Sequence, residues 1–336
     1  MAVLQGISGI QMGDGAGGTI ALSISKHILR MLSNSSLSYL TATMSNPSQV
    51  NSGSVSYYIP ELIQTEAYDA TSQKFDKTQT AMRRITCDTR EQAKYEVETF
   101  DIARLDESSD VLGMIATGLA MGIQSTLNAE FLMYIKSQFE VGGELAAQII
   151  ELPVLGKDVV DTVENCRAAY NALQMKIAKI TQMYDKNKLG IEKGDLHTIM
   201  SPVAAVQIRN SFWGTPANIG NFPISPTLAG VQLGNMKFTE DGMLDNAIPA
   251  GTSFSKLKDF DFSNYVGFII HNEAVAMPIS IMNVVNQNSP FNANLQYICK
   301  YQYGLGILRP KLLYAIVKAK PVAKKETIKE KFGRNN

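Results

Sequence analysis

A chain of 336 residues, 45% of them apolar, can bury a sizeable core, and its three cysteines are too few and too scattered for a disulfide framework. Its 31 basic and 31 acidic residues cancel. That balance argues against a protein that grips nucleic acid mainly by net charge, and it removes one barrier to self-association.

Residues 1–49 are rich in Gly, Ser, Thr and Asn and carry very little charge. Such a segment rarely makes a core alone; it lies along something else or stays mobile. Within it Gly13, Gly15 and Gly18 match G-x-G-x-x-G, the pattern that cradles a dinucleotide pyrophosphate at a helix N-terminus. The context is missing. Gly6 and Gly9 interrupt the stretch where a strand should end, and no carboxylate stands between Asp14 and Glu61 to meet a ribose. A glycine-rich arm leading into a short helix, "TIALSISKHILRML", is the better reading, and a cofactor enzyme using Gly13–Gly18 is kept only as an alternative. No basic and apolar leader opens the chain, so no secretory signal is expected.

From "GSVSYYIPELIQTEAY" the pattern becomes strand-like, and after a polar stretch "RRITCDTREQAKYEVETFDI" alternates clearly. Ile85, Cys87, Ala93, Tyr95 and Val97 share one parity, with charged residues on the other. Two such arms around a polar tip predict a long hairpin, and a 14-residue arm would span roughly 45 Å. A lone two-stranded ribbon is marginal in water. The hairpin therefore lies on another surface, such as a second subunit, or belongs to a larger sheet of its own domain.

A long helix follows, capped at Ser108, Ser109 or Asp110 and apolar as far as Ile135. Its most apolar stretch, "VLGMIATGLAMGI", is shorter than the ~20 residues a membrane span needs, so no membrane partner is expected. Gly113, Gly118 and Gly122 each cost about 1 kcal/mol inside a helix. Close packing of this helix against a neighbour must offset that cost. A second helix carries one sustained stripe, Val159, Val163, Cys166, Tyr170, Leu173, Ile177, Ile180 and Tyr184, suited to lying on a sheet.

Beyond it the sequence predicts a strand "LHTIM", a helix capped by Ser201 with Pro202 at its first position, and a buried strand in "YVGFIIHNEAVAMPI". The segment "NVVNQNSPFNAN" reads as a polar connection, and "LQYICKYQYGLGILRPKLLYAIVKA" as two strands joined by a glycine turn. The tail bears Lys324, Lys325, Lys329, Lys331 and Arg334, a solvated end or a contact for an acidic partner surface.

The catalytic inventory is thin. His27, His197 and His271 lie apart, Cys87, Cys166 and Cys299 form no Cys-x-x-Cys pair, and no hydrolase, zinc-protease or P-loop motif occurs. No cofactor, metal or enzymatic activity is expected.

The order of these elements resembles the major capsid protein of tailed bacteriophages, whose fold is shared with encapsulin shells. The resemblance rests on the glycine-rich arm, the extended hairpin, the helix entered through "VETFDIARLDESSDVLG", the α/β region opened by "GDLHTIMSPVAAVQIRN" and the return through "YICKYQYGLGILRPKLLYAIV". It implies an α+β fold divided into an N-terminal arm (1–49), an extended E-loop (50–100), a peripheral domain with its spine helix (101–185), an axial domain (186–290), return strands (291–317) and a basic tail (318–336). Tyr57, Ile59, Phe75, Ile85, Tyr95 and Val97 would then contact a neighbouring subunit through the E-loop. The resemblance further implies hexamers and pentamers in an icosahedral virion around DNA, assembled in the host cytoplasm with portal and decoration proteins. No long charged helical segment precedes the arm, so a separate scaffolding protein is implied. An encapsulin-like compartment is the alternative within the same fold.

Overall fold

A computed structural model describes residues 28, 30, 42–43, 50–59, 81–97, 111–140, 145, 148–152, 159–182, 196–213, 237–248, 260–288 and 295–318. In chain order these form β1 (Ala42–Thr43), β2 (Ser54–Ile59), β3 (Ala81–Thr86), β4 (Thr89–Val97) and α1 (Val111–Phe139). Next come β5 (Ile149–Leu152), α2 (Val159–Thr181), β6 (Leu196–Met200), α3 (Pro202–Trp213) and β7 (Lys237–Glu240). The last are β8 (Tyr265–His271), β9 (Val275–Ala276), β10 (Ile279–Asn288), β11 (Leu295–Tyr303), β12 (Gly306–Ile307) and β13 (Leu313–Lys318).

The mixed sheet β5-β13-β8-β6-β7 is the apolar centre of one half of the molecule. Strands β6, β8 and β13 read as near-continuous apolar runs because both of their faces are covered. Helix α2 packs against α3 and β5, turning the stripe of Cys166, Leu173, Ile177 and Ile180 inward. Ser201 accepts the Ala204 N–H, an N-cap that fixes where α3 starts. The Ser201 hydroxyl in turn donates to Asp245.

The second main sheet, β10-β11-β4, is antiparallel throughout. Helix α1 joins the two sheets. It is buried around most of its circumference, through Ile115, Leu119, Ile123, Leu127, Phe131, Leu132 and Ile135, and it spans about 43 Å. Near its start the Tyr95 ring of β4 lies over Gly118. At its end Phe139 stacks on Phe268 of β8, with ring centroids 6.1 Å apart. A single cluster of buried side chains runs through α1 from one sheet to the other.

Three expectations change. The alternating run after residue 80 is not one hairpin arm: β3 pairs with β2, but at Cys87–Asp88 the chain turns and β4 pairs with β11. The parity of buried and exposed side chains carries across this break, with the polar Thr89 and Glu91 standing on the inner parity just after it. Strands β11 and β13 do not form a hairpin, since Gly304-Leu305-Gly306 carries the chain between two sheets. The polar stretch around Asn286 is strand, because β10 pairs with β11 as far as Asn288. The glycine-rich N-terminal segment lies along its own chain where it is described: Ile28 is fully buried and β1 pairs in parallel with β9.

Candidate functional site

Among the described residues strands β2 and β3 pair only with each other, in register from Ser54 opposite Thr86 to Ile59 opposite Ala81. The period of two gives the ribbon two faces. On the inner face Val55 packs with Val50 and Cys87, Ile85 packs with Ala276 and Leu308, and Tyr57 touches both groups.

The root of the ribbon is held by backbone and glycine geometry. The Cys87 N–H donates to Gly53 O at 2.9 Å, and Gly53 turns the chain at φ +86°, where glycine is favoured. The buried Gln302 amide donates to the Cys87 and Val50 carbonyls, and Arg83 Nη1 donates to Ile307 O at 3.1 Å. A Cβ on Gly304 would overlap the Thr86 carbonyl, and one on Gly306 would sit 2.6 Å from Ile85 Cγ1. The glycines of the crossover are therefore what lets the ribbon approach its own chain.

The outer face is different. Tyr58 and Met82 stand directly opposite each other and are 69% and 58% exposed. Next along this face Arg84 Nε and Nη2 donate to Ser54 Oγ at 2.9 and 2.7 Å. Helix α1 offers a second apolar face, with Met114 and Met121 61% and 60% exposed, one turn either side of Gly118. The Tyr95 ring over Gly118 fills the gap between them.

Between the ribbon root and α1 lies a cleft of about 790 Å³, bordered by Arg83, Arg84, Glu130, Tyr134 and Tyr303. Burial pushes the Glu130 carboxyl up. Beside it Tyr301 and Tyr303 donate to the two oxygens of Glu91 at 2.7 and 3.0 Å, which ties β11 to β4. Among the described residues no group of three His, Cys, Asp or Glu could hold a metal ion, and no helix is long and apolar enough to cross a membrane.

The residues singled out in the sequence scatter over this framework. Ile85 is buried and Tyr57 half-buried within their own chain, so the ribbon's exposed apolar residues are Tyr58 and Met82 rather than those two. Exposure could not be read from the pattern, because Tyr57 and Tyr58 are adjacent and equally apolar. Tyr95 is shared between Gly118 and solvent. Ile59 and Val97 are placed by backbone pairing with Ala81 and Leu295. Phe75, Gly13–Gly18, His27 and the tail residues Lys324, Lys325, Lys329, Lys331 and Arg334 lie outside the described residues. His197 is buried, with Nε2 2.6 Å from Thr239 Oγ1, and His271 Nδ1 accepts the Glu273 N–H, so each imidazole is used inside the fold. The three cysteines are free and buried.

The helix glycines divide. Gly113 lies in the first turn of α1. Gly118 is packed by Tyr95, but a Cβ on Gly122 would meet nothing within 4 Å, which corrects the expectation that Gly122 packs closely. Gly122→Ala is expected to stabilise the chain by about 1 kcal/mol. Gly118→Ala gains the same propensity but must displace a ring whose Cε2 would be 2.9 Å away. Thermal melting of the two variants checks this; equal stabilisation would show that Tyr95 is not seated on Gly118.

Burial also shifts the alkaline groups. It pushes the Cys299 thiol up from 9.0 to about 12 and raises the Tyr301 and Tyr303 phenols above their usual 10.0. The unfolded chain loses these protons first, so their contribution is complete below the ordinary values and is lost as pH rises toward the folded ones. Melting temperature is expected to hold up to about pH 9 and to fall between there and about pH 12. A curve flat across that interval would show that these groups are not desolvated.

This arrangement of ribbon, long helix and two sheets is the α+β fold of phage capsid proteins. Three solved structures share it. The capsid structure of the Cyanophage P-SCSP1u aligns with a TM-score of 0.50 and 14% identity, over 84% of this chain and 86% of that one. The mature capsid of bacteriophage PhiM1 aligns with a TM-score of 0.53 and 14% identity, over 86% and 88% of the two chains. The capsid of an empty GTA particle aligns at 0.52 with 9% identity, over 83% and 88%. No family model and no curated protein matches the sequence.

Proposed function

We propose that this chain is the major capsid protein of a tailed phage, a structural subunit whose copies assemble into a closed icosahedral shell around double-stranded DNA. The observation that carries this reading is the likeness of fold to the PhiM1 mature capsid, which extends over nearly the whole of both chains. Zero net charge and a β2–β3 ribbon that no third strand joins among the described residues suit a self-assembling subunit.

In this reading hexamers and pentamers tile the shell. The E-loop (50–100) reaches a neighbour, residues 186–290 form the axial domain, and residues 101–185 with 291–317 form the peripheral domain. The tail lysines meet packaged DNA without sequence preference. A scaffolding protein, a portal and decoration proteins are the expected partners, with assembly in the host cytoplasm and the finished subunit in the virion.

Negative-stain microscopy and sedimentation test the proposal, on the full chain alone and with a candidate scaffolding protein. Closed particles or five- and six-fold rings support it, and a monomer in both conditions overturns it. Particles that enclose protein instead of nucleic acid would favour the encapsulin-like compartment. Deleting Asp69–Thr80 is expected to leave a folded subunit that makes no shells, and normal shells from that deletion would remove the E-loop from assembly.

A further inference from the structure

The geometry points to one face of the subunit as the face turned toward packaged DNA: the side of the β10-β11-β4 sheet away from α1, where Arg90, Lys94 and Lys300 take phosphates of the duplex. This inference rests on the shell reading above, which encloses DNA but does not say which folded surface meets it.

Tyr95 lies over Gly118, and the side chains on its parity, Tyr297, Cys299 and Tyr301, belong to the buried cluster that includes α1. The period of two then turns Arg90, Gln92, Lys94 and Lys300 to the opposite side of the sheet. The three cations are exposed, and among the described residues no ion pair neutralises any of them. Carboxylates are scarce beside them. On this face of β4 and β11 the one carboxylate is Glu96, which accepts from the Gln296 amide at 3.1 Å. The facing β10 positions, Asn283, Val285 and Gln287, bear no charge, and the exposed Asp88 stands outside the triad, before β4 begins. In a chain whose charges cancel overall, this is a local cationic excess.

The dimensions suit a phosphate backbone. Lys300 stands directly opposite Gln92, which makes it the diagonal neighbour of both Arg90 and Lys94. Diagonal partners lie about 7–8 Å apart, and four residues of strand separate Arg90 from Lys94 by about 13 Å. A duplex carries one charge per ~1.7 Å of its axis, so the triad faces about eight phosphates. Long, flexible side chains on an open surface hold a duplex by its backbone and read no base sequence. That is what a container for any packaged sequence requires. A protein with an acidic surface is the rival occupant, but a stable protein contact has an apolar centre. Among the described residues no large apolar side chain is exposed on this face.

The test reads the salt dependence of binding. Unassembled full-length chain is titrated against a fluorescent, mixed-sequence DNA duplex between 50 and 200 mM salt. Each phosphate contact contributes about 0.9 to the slope of log K against log salt. The triple variant Arg90→Gln, Lys94→Gln, Lys300→Gln is therefore expected to lose about 2.7 from that slope, so that the parent's affinity falls about 40-fold more across the interval. Its substitutions are on exposed side chains, and it is expected to melt like the parent. A variant with glutamine at Lys324, Lys325, Lys329, Lys331 and Arg334 measures the tail's share separately. Equal slopes for the parent and the triple variant, or no binding by the parent at 50 mM salt, would overturn the proposal. Unchanged DNA binding with loss of particles would overturn it too, and would give the face to an acidic protein surface. A second measurement reads orientation in closed particles, where the native thiols are buried. The thiol introduced by Lys94→Cys is expected to react with a small maleimide but not with one carried on a polymer too large to enter the shell. Labelling by the large reagent would put this face outside and overturn the proposal. Failure of the unmodified chain to form particles would overturn the shell reading instead, because the salt slope is read on unassembled chains.

Discussion

Replacing Gly267 by alanine is expected to have the largest effect of any single methyl group in this chain. Gly267 lies in β8, opposite Met200 of β6 and Ile316 of β13, beside the register shift that separates Ile316 from Val317. A Cβ there would overlap the Ile199 carbonyl oxygen and lie 3.1 Å from Met200 Cα. These are backbone atoms of a strand buried along its whole length, so no side-chain rotation relieves the overlap. The strands must separate, with loss of ladder hydrogen bonds and of packing around Phe268 and Ile199, at a cost of about 3 kcal/mol. That is a large share of a typical folding free energy. Chemical denaturation of the variant checks it, and an unchanged midpoint would show that β6 and β8 are not this close.

Gly304→Ala is expected to cost a similar amount, but at a different place. Its Cβ would overlap the Thr86 carbonyl and lie 3.1 Å from Cys87 Sγ, at the point where the chain leaves β3 for β4. Thr86 and Cys87 have to move away, which takes the Cys87 carbonyl from the Gln302 amide and loosens the packing of Ile85 on Ala276 and Leu308. The five-stranded sheet and most of α1 are remote from this change. A variant that keeps its helical circular dichroism, is cut by protease near Cys87–Thr89, and no longer forms particles is the expected outcome. Normal particles from Gly304→Ala would show that the ribbon does not need its root fixed in order to assemble.

The two glycines separate the demands on the chain. Gly267 lets the body of the subunit fold, whereas Gly304 fixes the direction in which the ribbon leaves it. In the shell reading proposed above both are needed, because a misdirected ribbon on a well-folded body cannot reach the same point on a neighbour. The Glu91 carboxylate belongs to the second demand. By accepting from both Tyr301 and Tyr303 it holds β4 on β11, and so holds Tyr95 over Gly118 of α1.

The elements whose pattern is local were legible in the amino-acid order. Helix α3 begins at Pro202 after a serine cap, β6 is the run "LHTIM", and the stripe of α2 turns inward, because each is dictated by capping or by a period within a few residues. The succession of arm, ribbon, long helix and α/β region was legible too, and it led to the fold. Tertiary structure alone decided which strand pairs with which. Ile85 and Cys87 share one parity with Ala93, Tyr95 and Val97, with Thr89 and Glu91 between them, yet β3 joins β2 and β4 joins β11, because alternation records only that one face is buried and not what buries it. It also decided that Tyr57 turns inward and Tyr58 outward, and that Gly118 is covered by a ring while Gly122 is open. Those distinctions depend on atoms supplied by residues far away in the chain, at Ala276, Leu308 and Tyr95, and no periodicity of neighbouring residues contains them.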